Sequence, residues 1–179
     1  MCRSGQSRFG ACLADELRSG LLLARPRRAD RLPGRELIEQ AVEAARTAEV
    51  AMVVVVVGTT EEEEVESEDM DRADLQLPGR QDELVSRVAA ANPRTVVVVD
   101  AGAPVLMPWR EEMASALICW FPGQQAREAL VDVLLGTVDP GGRLPTTWPA
   151  DEADSPVREA VPTEGQLDYS EDLFIGYRA

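Results

Sequence analysis

AMVVVVV (residues 51–57) decides the fold. Its β-branched side chains are stiff at χ1 and pack well on a pleated surface. The run has no polar alternation, so it predicts a strand covered on both faces, as in the parallel sheets of α/β proteins. Gly58 ends the run and the acids begin: TTEEEEVESEDMDRADLQLPGR continues to Arg80. An acidic loop at the carboxyl end of such a strand stands where open α/β sheets place their ligands. Catalytic groups are often displayed on loops of this kind.

Working outward, the word LPGR occurs at residues 32–35 and again at 77–80. The first copy precedes Leu37, Ile38, Ala41, Val42 and Ala45, spaced for one helical face, and then the valine strand. The second precedes Leu84, Val85, Val88 and Ala91, and then a strand over residues 95–99 that runs into DAGAP. Asn92 and Pro93 stop this second helix, since proline cannot continue it and restricts the residue before it. Two helix–strand units in tandem imply an α/β fold, whether the repeated word is a true repeat or shared punctuation. Residues 116–120 predict a third strand, ended by the turn at Pro122 and Gly123. A helix over 125–135 is expected to bury Leu130, Val131, Leu134 and Leu135, with Gly136 at its C′ position. The expected organisation is an irregular extension (1–31), an α/β domain (32–149) and a tail (150–179) that packs on the domain or a partner. The fold class is a three-layer sandwich with a mostly parallel sheet, incomplete on its N-terminal side.

Composition removes several chemistries. The 179 residues carry a formal charge of −14, which disfavours a role that depends on neutralising nucleic-acid phosphate. There is no histidine, and every basic residue is arginine. That excludes Ser-His-Asp and Cys-His nucleophile systems, Schiff-base chemistry and the P-loop lysine. Carboxylates are the main acid–base groups left. Cys2, Cys12 and Cys119 are too scattered for a disulfide framework and lack zinc-site spacing. No metal or other cofactor is expected. No run approaches the roughly 20 apolar residues of a membrane span, and the N-terminus lacks a secretory pattern, so the expected location is cytoplasmic.

Taken alone, an acidic run such as residues 61–71 is more often a solvated loop than a site, with calcium binding next. Ala73 and Asp74 break the EF-hand pattern. The ordered set of segments changes that weighting. ESEDMDR, DLQLPGRQDELV, AGAPV with MPW at 107–109, CWFPGQQ at 119–125, ALVDVLLG at 129–136, DPGGRLPTTWP at 139–149 and YSEDLFIGYR at 169–178 follow one another as in a known family. Over residues 35–178 the chain resembles the C-terminal α/β-sandwich domain of glycoside hydrolase family 3, especially its bacterial β-glucosidases.

The resemblance implies a retaining hydrolase, which uses two carboxyl groups about 5 Å apart. In that family the nucleophile is an aspartate on a (β/α)8-type barrel, and the acid/base is a glutamate on the acidic loop of the sandwich domain. The family's loop pattern aligns Glu64, Glu66, Ser67, Glu68, Asp71 and Arg72. Glu68 is thereby the first candidate acid/base and Glu66 the second, with Asp71 and Arg72 expected to pair and orient the loop. The charges of Glu66 and Asp69, the latter standing where the family usually has glycine, push the Glu68 pKa upward, and Arg72 opposes them. Trp109, Trp120 and Trp148 are expected as core and turn anchors rather than sugar contacts, and Asp100 as a loop-bonding residue.

The chain contains no barrel. The resemblance therefore implies a fragment of a longer enzyme, a subunit completed by a separately encoded barrel, or, as the alternative function, a non-catalytic carbohydrate-binding or interaction domain. A fragment is the favoured account, because residues 1–31 do not resemble the family's opening strands. Implied partners are a β-linked glucoside or oligosaccharide and the barrel, in cis or in trans. An incomplete sheet leaves an exposed edge that invites self-association.

Overall fold

A computed structural model describes residues 34–57, 72, 74–155, 162–167 and 173. In chain order they form α1 (Arg35–Thr47), β1 (Ala51–Val56), α2 (Gln81–Ala91), β2 (Thr95–Asp100), β3 (Ser115–Ile118), α3 (Ala126–Leu134) and a 3₁₀ turn, Glu152–Asp154. The described strands make one open, all-parallel sheet in the order β1-β2-β3, consistent with an α/β sandwich. Ala51 pairs with Thr95 and Val53 with Val97, while Val97 pairs with Ala116 on its other side. Each parallel connection needs a crossover, and α2 supplies the one from β1 to β2.

Helices α1 and α2 bury one stripe each. Ile38, Val42 and Ala45 of α1 and Val85, Val88 and Ala89 of α2 are buried. All of them but Ala89 join Val53, Val55, Val57, Val97 and Val99 in a single core cluster. Leu37, expected on the buried face of α1, is 53% exposed. At about 100° per residue it lies roughly that far round from the centre of the Ile38–Val42–Ala45 stripe, outside the arc a neighbour can cover.

The expectation that β1 is covered on both faces also needs correction. Ala51, Val53 and Val55 are buried, Met52 and Val54 are half-buried, and Val56 is 47% exposed. Successive side chains point to opposite faces, and β1 is the outermost of the described strands, so the alternate set is only partly enclosed. The run is continuous in hydrophobicity and alternating in burial.

Asn92 locks the first helix–strand unit to the second. Its Nδ2 donates to the carbonyls of Ala45 and Ala48, at 3.0 and 2.9 Å, and its Oδ1 accepts from the Arg94 N–H at 2.9 Å. Two carbonyls at the end of α1 that lack helical partners are thus satisfied by one buried amide. Asn92→Ala should cost about 2–3 kcal/mol in urea denaturation, since each bond contributes about 1 kcal/mol and buried acceptors are left unpaired. Asn92→Asp should also destabilise, because its side chain has no donor for those carbonyls when ionised.

Pro122–Arg143 belongs to a second compact unit that contains α3. None of the α3 residues is fully buried, whereas Leu130, Val131 and Leu134 were expected to be; they are half-buried, as is Leu135. The expected stop does occur. Gly136 has φ +70, its N–H donates to the Val133 carbonyl, and the Thr137 N–H donates to the Asp132 carbonyl, the paired bonds of a Schellman end. Among the described residues no helix is long and apolar enough to cross a membrane.

Candidate functional site

Glu66, Glu68 and Asp71 lie outside the described residues, as does any pairing of Asp71 with Arg72. The residues on either side of that segment are described. Val57 follows β1, and its N–H donates to the Asp100 carbonyl at 2.9 Å, at the carboxyl end of β2. On the returning side, Arg72 Nη2 donates to the carbonyl of Pro104, in the loop that leaves β2. Nη1 of the same guanidinium is buried with no hydrogen-bond partner among the described residues. Two residues downstream of position 73 the backbone is tied to the same loop, the Leu106 N–H donating to the Leu75 carbonyl at 2.8 Å.

The second LPGR word builds the turn into α2. Leu77 is buried, and Gly79 takes φ +69, a left-handed conformation that glycine adopts without steric cost. Arg80 bonds Glu83 through Nε and Nη2, both at 2.7 Å. Gln81, the first residue of α2, then reaches back to β1. The Val56 N–H donates to Gln81 Oε1 at 2.8 Å, and Gln81 Nε2 donates to the Val56 carbonyl at 3.0 Å and to the Pro78 carbonyl at 3.2 Å. Sequence reasoning missed Gln81. Its only sequence signal is its place directly after the repeated word.

Trp109 is fully buried, and its Nε1 donates to Asp82 Oδ1 at 2.7 Å, so it is a core anchor as expected. Burial raises the Asp82 pKa, and the Trp109 hydrogen bond works against that rise. Trp120 and Trp148 meet edge to face, with centroids 5.9 Å apart and planes at 81°. Trp120 has φ +52, so the chain turns there and β3 ends at Ile118 rather than continuing to residue 120. Cys119 follows β3, its N–H bonded to the Val99 carbonyl at 2.8 Å. Burial, and secondarily the charge of Asp100, raise its pKa and keep it a thiol, the inert form. No acid–base pair of the kind hydrolysis needs is assembled among the described residues. What they do assemble is a fixed frame at the carboxyl end of β1 and β2 for the segment that carries Glu66 and Glu68.

Residues 7–177 match the family model described as the glycosyl hydrolase family 3 C-terminal domain. A β-glucosidase of Rhizobium radiobacter is 42% identical over 146 residues, which is 79% of this chain and 17% of that protein. A solved family 3 β-glucosidase of Bifidobacterium adolescentis superposes with a TM-score of 0.71 at 38% identity, over 83% of this chain and 22% of that one. A Kluyveromyces marxianus β-glucosidase solved in complex with glucose gives 0.68 at 39% identity, over 80% of this chain and 17% of that one. The chain thus spans about a fifth or less of the length of these relatives. It belongs to the C-terminal domain family of glycoside hydrolase family 3.

Proposed function

We propose that this chain supplies the acid/base half of a retaining β-glucosidase, with Glu68 as the general acid/base, Glu66 as its alternate, and Asp71 and Arg72 orienting the segment. The observation that carries the reading is the frame around residues 58–71. Its entry at Val57 is bonded to the Asp100 carbonyl at the carboxyl end of β2, and its exit at Arg72 to the Pro104 carbonyl in the loop that leaves β2. That edge is where an open parallel sheet receives ligands. The substrate class follows from the relatives, which are β-glucosidases, one of them solved with glucose.

In the first half-reaction the Glu68 carboxyl donates its proton to the glycosidic oxygen as the C–O bond breaks, while a carboxylate from a barrel attacks the anomeric carbon. In the second, the Glu68 carboxylate takes a proton from water as the water displaces that carboxylate. The site is complete only when the barrel is present. The 179-residue polypeptide alone is therefore expected to give no measurable turnover of an aryl β-glucoside. Joining it to a family 3 barrel, in one chain or by mixing, should produce turnover. Strong hydrolysis by the polypeptide alone, abolished by replacing another acidic residue, would overturn this division of labour.

A further inference from the structure

We infer that Gln81 is a positioning residue for the acid/base segment: its carboxamide holds the last residue of β1 as an adjacent strand would. This inference rests on the reading of Glu68 given above. One planar amide satisfies both backbone groups of Val56, accepting from its N–H at 2.8 Å and donating to its carbonyl at 3.0 Å. Residues next to one another in a strand aim their backbone groups to opposite sides, and Val57 bonds the Asp100 carbonyl of β2. The strand end is therefore gripped from both sides, by β2 and by the Gln81 side chain. The third bond, from Nε2 to the Pro78 carbonyl, fixes the amide against its own turn.

The far side of the segment is gripped independently, by Arg72 on Pro104 and by Leu106 on Leu75. Residues 58–71 thus depart from one anchored point and return to another. A catalytic group on such a segment inherits its aim from these anchors, and a displacement of about 1 Å at a reacting centre costs as much as 10²-fold in rate. Gln81 acts through Val56 and touches no reacting atom in this scheme. Among the described residues, the charged groups that flank the amide are Arg80, Asp82 and Glu83 on its own element and, on β2, Asp100, the register partner of Val56.

The test uses the full chain labelled with nitrogen-15, and the barrel-joined form for kinetics. Gln81→Leu should speed exchange of the Val56 N–H by about tenfold, the factor expected for one lost hydrogen bond. Gln81→Glu is the sharper variant. Protonated, it reproduces both bonds to Val56; ionised, it has no donor for the Val56 carbonyl. The Val56 amide resonance should therefore titrate in Gln81→Glu, with a pKa above the ordinary glutamate value of about 4.3, and should return toward its wild-type position in acid. In the barrel-joined form Gln81→Leu should lower kcat by about tenfold on an alkyl glucoside and less on an activated aryl glucoside. Gln81→Glu should regain kcat relative to wild type as pH falls. A Val56 amide indifferent to both substitutions overturns the inference. So does a Val56 response with the alkyl-to-aryl rate ratio unchanged, which would make Gln81 scaffold alone. Failure of azide to rescue Glu68→Ala would strike the acid/base reading instead, and the Val56 amide would still decide whether Gln81 anchors the strand.

Discussion

Glu68→Ala in the barrel-joined form is expected to slow hydrolysis of alkyl glucosides by about 10²- to 10⁴-fold, the usual worth of general acid–base help. An alkoxide is a poor leaving group and needs its proton as the bond breaks. An activated phenolate departs without one, so dinitrophenyl glucoside should lose far less in the glycosylation step, and its turnover should become limited by hydrolysis of the intermediate. Azide attacks that intermediate without needing a base and should partly restore turnover, leaving a β-glycosyl azide as product. Glu66→Ala should show neither the leaving-group dependence nor the rescue. If azide rescues Glu66→Ala instead, the role moves by two residues; rescue of neither places the acid elsewhere in the chain.

The largest effect on stability is expected at Trp109. Trp109→Ala removes a fully buried indole and leaves Asp82 without the Nε1 donor, and should cost about 3–5 kcal/mol in urea denaturation. Trp109→Phe keeps most of the volume and isolates the hydrogen bond, at about 1–3 kcal/mol. The pH dependence separates the two contributions. Burial raises the Asp82 pKa in the folded chain, so the stability it contributes is fully present below its unfolded value and is lost as pH rises through its folded value. Removing the Trp109 donor raises that folded value further. The deficit of Trp109→Phe should accordingly shrink between neutral pH and about pH 4, while the cavity cost of Trp109→Ala persists.

The elements whose side chains repeat with a period were legible in the sequence. The valine run, the stripe at Ile38, Val42 and Ala45, the stop at Asn92 and the glycine end at Gly136 all depend on local spacing and on what single residues permit. Burial was less legible. Leu37 has the same spacing as its buried neighbours and fails by its angle to α2. Residues 51–57 read as enclosed because hydrophobicity does not report which of the described strands is outermost. Trp120 in a left-handed turn goes against the preference of a bulky residue, and nothing in its neighbours announces it. For the proposed site, the carboxyl end of β1 suggests itself from the sequence because a valine strand running into an acidic segment is a local event, while Glu66 and Glu68 themselves lie outside the described residues. The anchors of that place were not legible. Gln81 on Val56 and Arg72 on Pro104 are single side chains bonding backbone far away in the chain, and no periodicity encodes such a pair.

The parallel register has a further consequence during folding. Val53 meets Val97, and Val97 meets Ala116, so none of the described strands pairs with a segment next to it in the chain. Every ladder closes a long loop, and such closures are slow because their entropy is spent before the pairing returns anything. Until α2 forms and carries residue 95 back to residue 51, two uncharged valine runs stand unpaired. Each has the composition that templates intermolecular strands. The carboxylates after residue 58 then act on the nascent chain itself. They border the first run with negative charge on a polypeptide of net charge −14, and mutual repulsion keeps one unfolded copy from zipping onto another.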